Sequence, residues 1–370
     1  MGTAPRLGSV WPPNRRGTTH DVSAPSDFRS AAGTVVVRER SERSRTAGVN
    51  GDAGRALELA RTVGRTLPRP GTGRTAERWS RLTEIAAVDL TAARVVEAHT
   101  DALAILGEAA EAGFDVSAPA DQAWGVFAAE GPGVRVHAEP AGERWTLHGT
   151  KPGCSLAGRL DRALITAHLP SADRRLFAID LTDARVTVEP ATGWAARGLV
   201  EVPSTAIRLT HCPAEPVGPP GWYLDRPGFA WGGMGVAACW LGGAIGVART
   251  LHASTRDREP DQIALMHLGA VDAVLTGARE VLSAAAAAVD RGAADGQAGV
   301  LWAARVRAVV AGAVDTVLLR VGHALGPGPP AFDADHARRV ADLQLYVRQQ
   351  HAERDDAALG ALVRKLPSWW

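Results

Sequence analysis

Cysteine is scarce in this sequence. Only Cys154, Cys212 and Cys239 occur among 370 residues, and they lie far apart. The closely spaced cysteine pairs that bind structural zinc are therefore missing. Because the number is odd and the spacing wide, the pattern favours a reduced compartment over a disulfide framework. We therefore expect a cytoplasmic protein.

Excess charge and long apolar runs are lacking as well. Lysine and arginine total 41 against 40 aspartates and glutamates, so the net charge is +1. Such a balance gives no reason to expect nucleic acid as a partner. No uninterrupted apolar run reaches the roughly 18 residues typical of a membrane span. The N-terminal residues show no basic-flanked apolar core, so we expect neither a membrane partner nor a secretory signal.

Several motifs of catalysis and metal binding are also missing. The sequence contains no G-x-S-x-G, so a serine hydrolase triad has no support. His252 and His267 lack a second ligand one turn away, and we expect no metal site. The run GGMGVAACWLGG (232–243) resembles a dinucleotide fingerprint, but it follows a proline-rich linker without strand–helix–strand alternation. Close packing of a helix through small residues is the better interpretation.

The pattern along the chain predicts an α+β protein with helices on both sides of a β domain. Residues 1–50 are rich in Pro, Gly, Ser and Arg and are predicted to be a disordered extension. Apolar residues at helical spacing follow in 51–120, as a short N-terminal helical domain. Short β-like runs between turn residues in 121–225 predict an antiparallel β-barrel. Helical periodicity returns in 226–370 and predicts a four-helix bundle, with helices at 232–253, 261–290, 297–325 and 333–362.

Four strings, in this order, resemble the acyl-CoA dehydrogenase family from about Glu77 to Leu362. They are WGVFAAEGPG (124–133), LHGTKPGCSLAGRLDRALITA (147–167), GWAARGLVEVPSTAIRLTHCPAEPVG (193–218) and RDREPDQIALMHLGAVDAVLTGAR (256–279). The resemblance implies an FAD enzyme that dehydrogenates an acyl thioester at the α,β bond, with hydride transfer to flavin N5. It also implies an acyl-CoA substrate and an electron-transfer flavoprotein as electron acceptor.

The resemblance assigns cofactor-binding residues as well. Ser155 falls where the family has a threonine whose hydroxyl approaches flavin N5, between the β domain and the bundle. Arg258 falls at an arginine that reaches the cofactor pyrophosphate across a subunit interface, which implies a homodimer or homotetramer. The remaining positions beside the flavin are Val126, Ala128, Ala129 and Cys154. Gly153 departs from the family, which usually has a tryptophan there.

The catalytic base is the largest departure from the family pattern. The family's glutamate corresponds to Gln350, and an amide cannot remove a proton. His351 and Glu353, in the apparently helical run DLQLYVRQQHAERD (342–355), are the nearest candidates. Three readings stay open: a dehydrogenase with a relocated base, a flavin-dependent monooxygenase of the same fold in which His351 supplies a proton, and an inactive relative that acts as a partner subunit.

Overall fold

The computed structural model describes residues 42–368, apart from 118, 120, 143 and 258. Its first long helices are α1 (Ala53–Gly64), α2 (Thr75–Val88) and α3 (Leu90–Glu111). Within the predicted helical domain 51–120, the structure separates α2 from α3 at Asp89. Asp89 has an extended backbone, and its carboxylate accepts hydrogen bonds from the Ala92 and Gly51 amides. This carboxylate starts α3 because it satisfies amides that the helix itself leaves unpaired.

The predicted disorder of residues 1–50 is wrong at its C-terminal end. Residues 1–41 lie outside the described part of the chain. Residues 42–47 are helical, and Thr46 and Val49 are fully buried. From Glu42 onward the described residues form one compact unit, so the domain boundaries near 120 and 225 stay predictions.

The β domain is a seven-stranded sheet in which five strands close into a barrel. Pairing of β4 with β5 closes the circuit β4-β2-β3-β7-β5, while β1 adds to β4 and β6 adds to β7. The strands are β1 (Trp124–Phe127), β2 (Val136–Ala141), β3 (Arg144–Ser155), β4 (Arg162–His168), β5 (Arg174–Asp180), β6 (Val186–Val188) and β7 (Ser204–Val217). The prediction of a purely antiparallel barrel needs correction, because β4 pairs in parallel with both β1 and β2.

A short helix α4 (Trp222–Asp225) leads into the C-terminal helices. They are α5 (Pro227–Asp257), α6 (Gln262–Asp290), α7 (Gly296–Leu325), α8 (Gly328–Phe332), α9 (Ala334–Tyr346) and α10 (Glu353–Val363). The predicted helix 333–362 is wrong as a continuous element. A 3-10 turn at Val347–Gln349 follows α9, and the chain then turns through Ala352, whose φ is 48°. His351 therefore lies in a break between helices.

The glycine-rich run 232–243 lies on α5, which confirms helix packing over a dinucleotide site. A Cβ built on Gly242 would lie 2.2 Å from the Thr83 carbonyl oxygen of α2. The Thr83 hydroxyl also donates to the Ala238 carbonyl at 3.0 Å. The small residues thus let two helix backbones approach each other closely.

Two helices are long and apolar enough to cross a membrane, although the sequence predicted no span. They are α5, with mean hydropathy 1.4 in its most apolar window, and α7, with 1.5. That window is 78% buried in α5, where packing within the protein accounts for its apolar character. In α7 only 33% of the window is buried, so this helix presents apolar side chains at the surface.

Candidate functional site

A cleft opens between helix α3 and the barrel. The walls come from α3, β1, the end of β3 and the segments that follow it. The lining residues are Arg94, Val95, Ala98, Trp124, Gly125, Val126, Phe127, Ser155, Leu156, Leu160 and Val202. The cleft is mainly apolar, with one cation and one hydroxyl among its side chains.

Arg94 and Ser155 form the polar part of the cleft. The Arg94 Nη2 donates to Ser155 Oγ at 3.2 Å, and Ser155 Oγ lies 2.7 Å from Ser204 Oγ. The other arm of Arg94 donates to Glu97 Oε2 at 2.9 Å. The Tyr346 hydroxyl donates to the same carboxylate oxygen at 3.1 Å. These contacts link the barrel, α3 and α9.

Burial governs the electrostatics of this network. Glu97 and Tyr346 are only 8% and 1% exposed. Burial raises the pKa of the Glu97 carboxyl, while the Arg94 guanidinium acts in the opposite direction. Burial also raises the pKa of the Tyr346 phenol. Tyr346 therefore stays protonated at neutral pH and keeps its role as a hydrogen-bond donor to Glu97.

Trp124 contributes to the wall of the cleft and is fully buried. Its Nε1 atom is also buried and has no hydrogen-bond partner among the residues that the structure describes. A buried donor without an acceptor costs free energy.

The structure brings some of the predicted cofactor residues together. Val126 and Ser155 both line the cleft. Ala129 lies beside Gly153, because a Cβ built on that glycine would be 3.4 Å from the Ala129 Cβ. Ala128 is partly buried and packs against the hydrophobic cluster that contains Trp124 and Leu164. Arg258 lies outside the described residues, so its predicted role is untested.

Cys154 does not line the cleft. It is fully buried, its thiol faces the Lys151 carbonyl at 3.3 Å, and burial raises its pKa to about 12. Neighbouring residues of a strand point to opposite faces, which explains why Ser155 reaches the cleft and Cys154 does not. The thiol therefore behaves as a small core residue.

The candidate catalytic residues lie apart from these walls. The His351 side chain is 67% exposed, and its Nδ1 lies 3.3 Å from Asp355 Oδ1. Glu353 is exposed at the first turn of α10. Gln350 is buried, with no hydrogen-bond partner for its Oε1 in the described chain. Neither His351 nor Glu353 is among the lining residues of the cleft, and a catalytic role for either stays a prediction.

The sequence analysis missed Arg94, Trp124 and Ser204. Arg94 carried the clearest signal, because it interrupts the apolar series Ala92, Ala93, Val95 and Val96. An arginine in the buried stripe of a helix needs a partner. The position of Ser204 depends on its pairing with Ser155 across β3 and β7, which local sequence does not reveal.

Comparison with solved structures identifies the fold. KijD3, in complex with FMN and a dTDP-linked amino-keto sugar, is 18% identical with a TM-score of 0.73, covering 91% of this chain and 94% of that one. The nitrososynthase from Micromonospora carbonacea var. africana is 17% identical, with a TM-score of 0.73, and the match covers 90% of this chain and 96% of that one. Methanesulfinate monooxygenase MsuC from Pseudomonas fluorescens is 18% identical, with a TM-score of 0.70, and the match covers 89% of this chain and 98% of that one. The chain has the acyl-CoA dehydrogenase-like fold. No family model and no curated protein matches it.

This likeness confirms a fold of many helices with a small β-barrel, but identities below 20% show the fold alone. The predicted layout of the domains stays a prediction. Membership of the acyl-CoA dehydrogenase family itself is therefore not shown. The lining residues of the cleft at Ser155 belong to α3 and the barrel side. The flavin position between barrel and C-terminal bundle, which the resemblance implies, stays a prediction.

Proposed function

We propose that the protein is a flavin-dependent oxidoreductase of the monooxygenase type, with FMN as its cofactor. The single observation that carries the proposal is the cleft in which Ser155 and Arg94 meet apolar walls. Structures with this fold include an FMN complex and a methanesulfinate monooxygenase. FAD, which the sequence analysis expected, is the alternative cofactor.

The chemistry of the lining side chains suits the ring of a flavin. A flat heteroaromatic ring with carbonyl acceptors needs apolar walls and a few fixed donors, and the cleft offers both. A bound flavin would supply the two-electron chemistry that protein side chains lack. Ser155 and Arg94 would orient the polar edge of the ring. Trp124 and Phe127 would keep water from it.

Flavin binding tests the cofactor assignment. We expect the purified protein to bind FMN more tightly than FAD, as measured by quenching of flavin fluorescence. Ser155→Ala removes one hydroxyl donor, and a hydrogen bond contributes about 0.5–1.5 kcal/mol. We therefore expect about three- to tenfold weaker FMN binding.

Ser80→Ala is the matched control, because Ser80 is exposed on α2 and its Oγ contacts only Glu84 at 3.5 Å. It should leave FMN affinity unchanged. Equal affinities for parent and Ser155→Ala protein would remove Ser155 from the flavin site. Absence of binding to either flavin would overturn the cofactor assignment.

Two assays separate the monooxygenase from the dehydrogenase reading. A monooxygenase consumes oxygen and forms product when a separate reductase supplies reduced FMN. A dehydrogenase would instead lose its flavin absorbance when an acyl-CoA is added without oxygen. We expect the first result. Anaerobic bleaching by acyl-CoA would restore the dehydrogenase reading, its acyl-CoA substrate and an electron-transfer flavoprotein as acceptor.

We also propose a homo-oligomer, assembled through the C-terminal helices. The support is the exposed apolar surface of α6 and α7, which includes Ile263, Met266, Val300 and Leu319 at 47–58% exposure. A second copy is the occupant that the fold resemblance implies. Exposed apolar surface of this extent marks an interaction site more often than free surface.

Charge placed on this surface should disrupt the assembly. We expect a dimer or tetramer in light scattering after size exclusion, and at least tenfold weaker association for Leu319→Glu. Val200→Glu introduces the same charge at a residue that is 58% exposed but outside α6 and α7, and it should leave the mass unchanged. A monomeric parent protein would refute the oligomer.

A further inference from the structure

Three strands bring acid and imidazole side chains together on the outer face of the barrel. Glu139 lies on β2, His148 on β3 and His211 on β7. The register pairs His137 with His148 and Glu139 with Thr146, so Glu139 is the diagonal neighbour of His148. Diagonal neighbours lie within reach of long side chains.

A β-bulge adds His211 to this group. The β3–β7 pairing shifts between Leu147/Cys212 and Gly149/Leu209, so His148 faces two residues of β7. His211 adopts a left-handed backbone, with φ of 51°. As a result Thr210 and His211 both point outward, where regular alternation would bury one of them. Bulges of this kind redirect a side chain, and here the redirected group is an imidazole.

The ligand atoms of Glu139, His148 and His211 all lie within 4.8 Å of one another. The His148 Nδ1 is 3.8 Å from Glu139 Oε1, too far for a hydrogen bond. This nitrogen is buried and meets no hydrogen-bond partner within the described part of the chain. The His148 nitrogen therefore lies beside the Glu139 carboxylate without a hydrogen bond to it. The gap leaves room for an atom between the two groups.

The neighbouring histidines differ in their roles. His168 Nε2 contacts Glu130 Oε2 at 3.0 Å, and the same glutamate binds Lys151 at 2.8 Å. His168 is therefore already engaged. The His137 ring stacks on His148 at 5.4 Å, while His211 lies 5.3 Å from His148 on its other side. Stacking holds the His148 ring in place between them.

We propose that Glu139, His148 and His211 form a binding site for Zn²⁺ on the barrel surface. Two imidazoles and one carboxylate are ligands that Zn²⁺ accepts, at about 2.0–2.2 Å from each atom. Small side-chain rotations would bring the three atoms to that distance. Glu139 and His211 are exposed, so water can complete the coordination. The site is independent of the flavin cleft.

Isothermal titration of tag-free, chelator-treated protein with ZnCl₂ tests this site. We expect one Zn²⁺ per chain. His148→Ala and His211→Ala should each weaken binding at least tenfold, because each removes one of three protein ligands. Co²⁺ serves as the spectroscopic probe, and its visible absorption should appear with the parent protein and disappear with both variants.

His252→Ala is the matched control, since His252 is exposed on α5, away from the three strands. It should bind Zn²⁺ as the parent does. Circular dichroism of each variant confirms that the fold is retained. Absence of Zn²⁺ binding to the parent, or parent-like binding by His148→Ala, would overturn the proposal.

Discussion

Glu97→Ala is expected to lower the free energy of unfolding by about 3–5 kcal/mol, because it removes one partner of a buried ion pair. The side chains of Glu97 and Arg94 are only 11% and 16% exposed. The variant leaves the Arg94 guanidinium without its carboxylate and the Tyr346 hydroxyl without its acceptor. Neither group is well placed to recover water. Equilibrium denaturation with guanidinium chloride, followed by circular dichroism, measures the loss.

A second pair on the preceding helix provides a close control. Arg74 and Glu77 have the same residue types and the same three-residue spacing, but their side chains are 57% and 39% exposed. Exposed pairs contribute about 0–1 kcal/mol, because water and salt screen them. Glu77→Ala should therefore cost less than about 1 kcal/mol. If both variants lost equal stability, burial of the Arg94–Glu97 pair would not be the reason for its strength.

The same ion pair shows what sequence could and could not predict. Helical periodicity predicted helix in this segment, since Val95, Ala98, Ala102 and Ile105 follow a helical spacing, but it did not predict that α3 starts at Leu90. The partners of Arg94 could not be predicted from local sequence. Ser155 and Tyr346 come from distant parts of the chain, and their contact depends on how three elements pack.

The strands also show that local sequence predicts an element but not its partners. Alternating runs predicted the β domain, but β4 pairs in parallel with β1 and β2, which are not its neighbours in sequence, and local patterns do not encode such pairs. The His211 bulge likewise requires knowledge of the β3–β7 register. The sequence analysis expected no metal site because it searched for ligands one helical turn apart. Glu139, His148 and His211 are instead neighbours across strands.

The break after α9 was missed for a different reason. Residues 342–355 contain good helix formers and neither glycine nor proline, so local propensity favours one continuous helix. The structure nevertheless ends α9 at Tyr346, whose hydroxyl binds Glu97. Gln350 is then buried and Ala352 takes a positive φ. Tertiary contacts have overridden local helix propensity near Gln350, the position that the resemblance assigns to the family's catalytic glutamate.

Gly242→Ala is expected to destabilise the protein by about 3 kcal/mol, the upper end of the usual cost of overpacking. The added Cβ would lie 2.2 Å from the Thr83 carbonyl oxygen and 2.6 Å from the Ala86 Cβ. The first of these atoms belongs to the backbone of α2, which cannot move aside without shifting the helix. The variant must therefore separate α2 from α5, and this movement also breaks the hydrogen bond from Thr83 to Ala238. Denaturation midpoints measure the effect.

Gly269→Ala makes the same chemical change on a helix surface. Gly269 is exposed within α6. Apart from its chain neighbours and the nearby backbone of α6 itself, no atom of the described residues lies within 4 Å of the position its Cβ would take. Alanine is favoured over glycine inside a helix by about 0.5–1 kcal/mol, so this variant should be slightly more stable than the parent. Gly242→Ala is thus expected to lower the free energy of unfolding, and Gly269→Ala to raise it slightly. A stabilised Gly242→Ala protein would show that α2 and α5 are not packed as closely as the structure places them, and the small residues of the run 232–243 would then need another explanation.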